Sequence, residues 1–369
     1  MDVLDCEHSS IDVPRNVLAS LPETLSSWRN IKPLEDADWS RPWDLLRPFF
    51  KKHGYELYRV QPTFVGTANS TSSPARDSFG LYGNRGDGFQ AILPARAVVF
   101  AARDRLNRDV VIKVVSKGTE GSRELDILQF LNTPLIRSDP ANATVPVLQF
   151  LRAGDWAFVV MPFCDACEYM PMVNAQETFE LTDQLLSALS FLHSHRIAHL
   201  DISSENILIN HHGLTPNTTM WVAGWPVPLD TPPEFRSTFP VRYMMMGFGS
   251  SIHFSSTLPF SACLADPSDR RRAHKAPESS LRRYDPFAAD VYQTGRLCYG
   301  WFSEVAHKIV PGFLELLRDM TASDPAARPT AAVALERLRA IRDVTPKENL
   351  IYPVVSQQLN WFPEVPGSV

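Results

Sequence analysis

His199-Leu200-Asp201-Ile202-Ser203-Ser204-Glu205-Asn206-Ile207-Leu208-Ile209 sets one carboxylate and one amide side chain on a short loop. The loop is bounded on both sides. Leu192-His193 closes a stretch with Leu185, Ala188, Leu189 and Leu192 on one face, the spacing of an amphipathic helix. Ile207-Leu208-Ile209 reads as a strand that anchors the loop from behind. Asp201 can accept a hydrogen bond from a hydroxyl, and Asn206 can offer its side-chain oxygen to a metal ion. A carboxylate and an amide so spaced, held between a helix and a strand, carry the strongest signal in the chain.

Further chemistry lies upstream. The runs Arg96-Ala-Val-Val-Phe-Ala-Ala and Asp109-Val-Val-Ile-Lys-Val-Val, separated by turn residues Asp104 to Arg108, read as a β-hairpin that carries Lys113. Eleven positions later Glu124 falls on a segment starting at Ser122 with Leu125, Leu128 and Leu131 on one stripe. A strand lysine paired with a helix glutamate is an arrangement that grips phosphates. Alone, such a pair is more simply a surface ion pair. Val145 to Leu151 and Trp156 to Met161 read as two more strands, and Asn174 and Glu177 have capping-box spacing at the start of the long helix. After residue 280 the pattern is helical, with Phe313, Leu316, Leu317 and Met320 on one face. Trp28, Trp39 and Trp43 imply that the N-terminal stretch packs against something.

Three later landmarks follow in order: Ala276-Pro277-Glu278, Asp290-Val-Tyr-Gln-Thr-Gly295 and Asp324-Pro325-Ala-Ala-Arg328-Pro329. With the loop and the lysine, they make residues 90 to 342 resemble the protein kinase superfamily. The wording around them (Phe158-Val-Val-Met-Pro, Phe239-Pro-Val-Arg-Tyr) looks like the fungal-type group of kinase-like proteins. The resemblance implies an α+β, two-lobed protein-kinase-like fold, with a small β-rich N-lobe and a larger helical C-lobe. Its expected bounds are an N-terminal extension over 1–60, an N-lobe over 61–161, a C-lobe over 162–344 and a tail over 345–369. It further implies that Asp201 orients the acceptor hydroxyl, Asn206 ligates a metal, and Lys113 with Glu124 clamps the phosphates of ATP. Phe158 to Met161 would be the strand before the hinge and Pro162-Phe163-Cys164 the hinge itself. Met161 then backs the adenine pocket, and backbone groups near Pro162 and Cys164 face the base. Glu278 and Arg328 are expected to pair internally.

Several positions depart from the family pattern, and four of the departures fall on phosphate and metal handling. The expected D-F-G triplet reads Gly247-Phe248-Gly249 after the run Val241-Arg-Tyr-Met-Met-Met. A hard cation loses its carboxylate there, so Mg²⁺ binding should be weakened. No glycine-rich loop is present: Ile92, Pro94 and Ala97 stand where glycines belong, and proline has no N–H to offer phosphate. Leu200 replaces the arginine that kinases use to grip a phosphorylated activation segment, and Ser203 replaces a lysine near the γ-phosphate. Asn206 and Gly247 lie 41 positions apart, far more than in a compact kinase, which implies an insertion at about 211–240. The leading expectation is a pseudokinase or weakly active nucleotide-binding module; the alternative is a divergent active Ser/Thr kinase.

Bulk composition narrows the partners. The net charge of -5 gives no general attraction to nucleic acid or anionic membrane, and the basic run Arg270-Arg271-Arg272 is short. No run approaches the roughly 18 apolar residues of a membrane span. Five scattered cysteines do not make a disulfide framework, and Cys164-x-x-Cys167 lacks the second pair that a zinc site needs. The expectation is an intracellular protein, cytoplasmic or nuclear, whose partner or substrate is another protein.

Overall fold

The computed structural model describes residues 13–33, 35–60, 67–68, 78–83, 91–92, 96–170, 172–212, 220–222, 225–227, 236–268 and 274–352. They divide into two compact units. One takes the described parts of Met1–Phe79, Arg85–Asp126 and Pro146–Phe163; the other takes the remainder.

The first unit is built on a five-stranded antiparallel sheet. Its order is Glu56–Leu57, Val99–Arg103, Asp109–Lys117, Trp156–Pro162, Gln149–Ala153. The central hairpin turns where the sequence expects it. Asp104 Oδ1 accepts from the N–H groups of Leu106 and Arg108, both at 2.9 Å, and Asn107 takes a left-handed φ of 61°. Side chains alternate across a strand. Val110, Ile112 and Val114 therefore join the main core, while Lys113 projects to the other face. The ladder bulges between Val114 and Ser116.

What covers the Ile112 face is the N-terminal stretch, through the short helices Arg15–Ala19 and Leu25–Arg29 and the longer Arg41–Lys52. Trp28, Trp39 and Trp43 are at most 2% exposed. Trp28 meets Trp43 and Trp156 edge-on at 5.4 and 5.0 Å, and Trp43 lies 5.3 Å from Phe100. A buried indole needs a partner for its N–H. The indoles of Trp28 and Trp43 both donate to the carbonyl of Ala97, at 3.1 and 2.6 Å.

The second unit is helical: Ala175–Ser194, Pro286–Lys308, Pro311–Met320 and Ala331–Val344 carry it. Their starts are capped by Asn174, Asp285 and Thr330 side chains, with Pro286 and Pro311 at first helical positions. At the first of these the Asn174 side chain accepts from Glu177 N–H at 3.1 Å. The Glu177 carboxylate reaches back to Val173 N–H rather than to the cap residue, at 2.7 Å. A three-stranded sheet, ordered Tyr243–Met245, Ile207–Ile209, Asp165–Ala166, lies behind the loop His199–Asn206.

This is the α+β arrangement expected, a β-rich unit and a larger helical unit. Two strands differ in extent. The one foreseen from Val145 begins at Gln149: Val145 N–H donates to Met245 carbonyl at 3.0 Å instead, and Pro146 has no N–H to enter a ladder. The one foreseen over 241–246 is limited to Tyr243–Met245, since Arg242 N–H is taken by Asn210 Oδ1 at 2.6 Å. Within the insertion, Met220–Val222 and Trp225–Val227 pair as a hairpin that the sequence did not suggest. Arg270, Arg271, Arg272 and Pro94 lie outside the described residues.

Candidate functional site

The loop His199–Asn206 is held from below by the helix Pro286–Lys308. Asp290, fully buried, accepts from the N–H groups of His199 and Leu200 at 2.7 and 2.6 Å and bonds the His193 ring at 3.0 Å. Gln293 accepts from Ile202 N–H at 2.9 Å and donates to Leu200 carbonyl at 3.3 Å. These bonds clamp both sides of Leu200, whose φ of 62° is left-handed. That conformation costs a non-glycine residue about 1–2 kcal/mol. Leu200 is 2% exposed among Ala198, Ala276 and Tyr284. At this position a packing residue stands where the resemblance implies an arginine.

Asp201 emerges from this clamp half-buried. Its N–H donates to His199 Nδ1 at 3.2 Å, which leaves the proton of that ring on Nε2, donating to Met246 carbonyl at 2.9 Å. No described residue hydrogen-bonds the Asp201 carboxylate. Asn206 Nδ2 donates to Asp201 carbonyl at 2.8 Å and lies 3.4 Å from Ser203 Oγ. Its Oδ1 has no partner among the described residues.

That oxygen faces Gly247. Gly247 has φ 88° and ψ 47°, the left-handed region where glycine is at no disadvantage. A Cβ placed on it would sit 2.1 Å from Asn206 Oδ1 and 2.5 Å from Asn206 Cγ. Phe248 is 2% exposed and packs 5.1 Å from the His199 ring, as a core residue.

In the sheet unit, Lys113 Nζ meets Glu124 Oε1 at 2.5 Å, with the glutamate side chain 2% exposed. A third member joins them that sequence reasoning missed: Arg29, on the N-terminal helix Leu25–Arg29, reaches Glu124 Oε2 at 3.2 Å. Met161 is buried in the strand Trp156–Pro162, opposite Val111. Cys164 is buried too, and burial pushes its thiol pKa well up. Neither its backbone N–H nor its carbonyl is hydrogen-bonded by a described residue. Where glycines were missing, Ile92 lies on a strand paired with Thr67–Ala68, and Ala97 is the carbonyl that both indoles use.

Arg328 grips Glu278 in the helical unit with two parallel bonds, 2.6 and 2.9 Å, and both side chains are buried. Arg236, from the insertion, was also missed. It is 4% exposed and donates to the carbonyls of Met170 (3.0 Å) and Cys167 and to the Tyr243 hydroxyl. Nothing local marks either Arg29 or Arg236: the Glu124 carboxylate lies 95 residues from Arg29, and the Met170 carbonyl 66 residues from Arg236. Among the described residues no three His, Cys, Asp or Glu side chains converge as a metal site. No described helix is long and apolar enough to cross a membrane.

Residues 95–216 match the protein kinase domain, less than half of the chain. Lys113, Glu124, Asp201 and Asn206 fall inside the match and Gly247 outside it. Among curated relatives, mouse serine/threonine-protein kinase SIK1 is 27% identical over 128 residues, 31% of this chain and 15% of that protein. The serine/threonine-protein kinase RAD53 of Saccharomyces cerevisiae is 31% identical over 103 residues, 26% of this chain and 12% of that protein. The chain thus spans a small fraction of these relatives' lengths. A crystal structure of the Rad53 kinase domain and SCD2 aligns with a TM-score of 0.43 at 19% identity, covering 69% of this chain and 94% of that one. The similarity to protein kinases thus lies in residues 95–216 and in local stretches of about a quarter to a third of the chain.

Proposed function

We propose that this is a nucleotide-binding, protein-kinase-like module of the fungal type in which phosphoryl transfer is slow or lost. The observation that carries this reading is at Gly247. The family's metal-binding carboxylate is absent there, and the Asn206 side chain occupies the volume that a Cβ would need. A divalent ion would find Asn206 Oδ1 but no carboxylate at residue 247, so the residues present fit Mg²⁺ poorly. ATP fits better. In the sheet unit Lys113, neutralised in part by Glu124, would bind phosphate oxygens, and Met161, buried in the strand Trp156–Pro162 of the same unit, would lie behind the base. When bound, the nucleotide supplies the phosphoryl group.

The retained loop favours a second reading, an active Ser/Thr kinase. Asp201 is braced through Asp290 and Gln293, and its carboxylate is free to accept a hydroxyl proton. Each 1.36 kcal/mol of lost transition-state stabilisation slows transfer tenfold. Loss of a metal ligand together with the glycine loop could remove several such factors. In either case the partner or substrate is a protein, and residence is intracellular. Four buried free cysteines, Cys164, Cys167, Cys263 and Cys298, suit a reducing compartment.

The test is calorimetry of ATP binding with EDTA, Mg²⁺ or Mn²⁺, alongside a transfer assay on a generic Ser/Thr substrate. Expected are binding that depends little on Mg²⁺, weaker binding in Lys113→Ala, and negligible transfer. Transfer at ordinary kinase rates, abolished by Asp201→Ala, would establish the second reading. No binding under any condition would sink both.

A further inference from the structure

The Lys113–Glu124 pair has a third member, Arg29. The helix that bears Glu124, Ser122–Leu131, begins at a turn against which the N-terminal arm is fastened at three points. Glu120 accepts from the N–H groups of Leu25 and Ser26, at 2.7 and 2.8 Å, and from the Ser26 hydroxyl. Gly121 has φ 80°, and a Cβ there would lie 2.7 Å from Leu25 Cδ2 and 2.2 Å from Val115 carbonyl. The arm therefore presses directly on the backbone that starts the helix. Arg29 is the third point, on the outer oxygen of Glu124, while Lys113 holds the inner one. Apart from this, the Arg29 side chain has no hydrogen bond to a described residue, and it is 31% exposed. Behind these polar contacts the arm is anchored by the two indoles on Ala97.

We infer that Arg29 is a positioning residue for this site: the N-terminal arm, upstream of the residues that match the family, holds Glu124 in the rotamer that pairs with Lys113. In kinases the glutamate helix must be correctly placed for the lysine pair to form. Here the chain supplies that placement itself, so the clamp is held closed before nucleotide arrives. The physical reason is geometric. A glutamate side chain with one partner can swing away; with a cation on each oxygen it has one arrangement that satisfies both. Because Arg29 acts through Glu124, its effect must vanish when Glu124 is already disabled.

This inference rests on the nucleotide-binding reading for its consequence, not for its geometry, and two measurements separate them. The first needs no nucleotide. Acylation of Lys113 by an amine-reactive ester is followed by mass spectrometry at fixed pH. Arg29→Ala should free Glu124 to leave, so that Lys113, released from its carboxylate, reacts faster. Arg29→Lys should restore the slow rate, and Arg29→Ala should add nothing in a Glu124→Gln background. The circular dichroism melt of Arg29→Ala should stay close to that of the parent protein, since the side chain is partly exposed. The second measurement is ATP affinity in EDTA, expected to fall about fivefold or more in Arg29→Ala and to recover in Arg29→Lys. An unchanged or slower acylation rate in Arg29→Ala overturns the positioning role whatever nucleotide does. Wild-type protein that binds no ATP defeats the functional reading alone, and the acylation series still decides the role of Arg29.

Discussion

Asn206 stands in the volume that a side chain on residue 247 would have to enter, with its Oδ1 2.1 Å from the Cβ position of Gly247. The two residues are therefore coupled. The glycine lets Asn206 keep its bond to Asp201 carbonyl at 2.8 Å, and the asparagine leaves no room for the missing carboxylate.

From the sequence alone, Gly247→Asp should partly restore Mg²⁺-dependent ATP binding. The geometry adds a cost. Aspartate tolerates a left-handed φ better than most residues, but its Cβ must push Asn206 off Asp201. The variant should lose about 1–3 kcal/mol of stability, read as a lower thermal midpoint, and should recover Mg²⁺ dependence only weakly. Gly247→Ala, which brings the clash without the carboxylate, should be as destabilised and recover nothing. A Gly247→Asp protein as stable as its parent would mean that Asn206 is not in the way.

Glu278→Gln should be severe. The pair it breaks with Arg328 is bidentate and buried, and stranding one charge in such a place costs about 3–5 kcal/mol. A urea midpoint close to that of the parent would show that water or another group takes over. Arg328 also donates to Ala288 and Ala322 carbonyls, at 3.0 and 2.8 Å, so Arg328→Met should cost at least as much.

Stability should fall as the solution is made mildly acidic. His53 lies against Phe49 at 4.7 Å, and its Nε2 is buried without a partner among the described residues. Burial, then Lys52 and Arg105 nearby, hold its pKa below the ordinary 6.5. The unfolded chain thus takes up the proton first, and the stability present above pH 6.5 is lost as pH drops through that value toward the folded pKa. Thermal midpoints between pH 7.5 and 5 should decline, and less so in His53→Phe. Identical slopes in the two proteins would remove His53 as a cause.

Three cysteines should be chemically silent in the native protein. Burial pushes the thiols of Cys167 and Cys298 up to about 12 and that of Cys164 further in the same direction. The thiolate is the reactive form. Iodoacetamide at pH 8 should leave all three unmodified until urea is added; modification of Cys164 in the folded state would mean that its surroundings open.

What the sequence made legible was local or spelled by spacing. Lys113 and Glu124 are eleven positions apart on a strand and the following helix, and they meet. Glu278 and Arg328 sit in two short motifs, and they meet as well. The missing carboxylate at 247 could be read directly, yet its fit to Asn206 depends on a φ angle that no residue pattern displays. Arg29 and Arg236 were beyond reach for a different reason. Each is one arginine in an ordinary segment, made specific mainly by carbonyl or carboxylate groups that folding brings from far along the chain. The tryptophans announced a docking surface without saying which face of which sheet they would cover.

That covering has a practical consequence for anyone who would trim this protein to its recognisable part. A chain cut at residue 95, where the family match begins, would leave behind Trp28, Trp39, Trp43 and Phe50. Phe100, Ile112 and Phe158, now at most 2% exposed, would become an open greasy wall. Patches of that kind drive association in water. Such a fragment should come out of cells as inclusion bodies, and a negative result obtained with it would report on solubility rather than on chemistry.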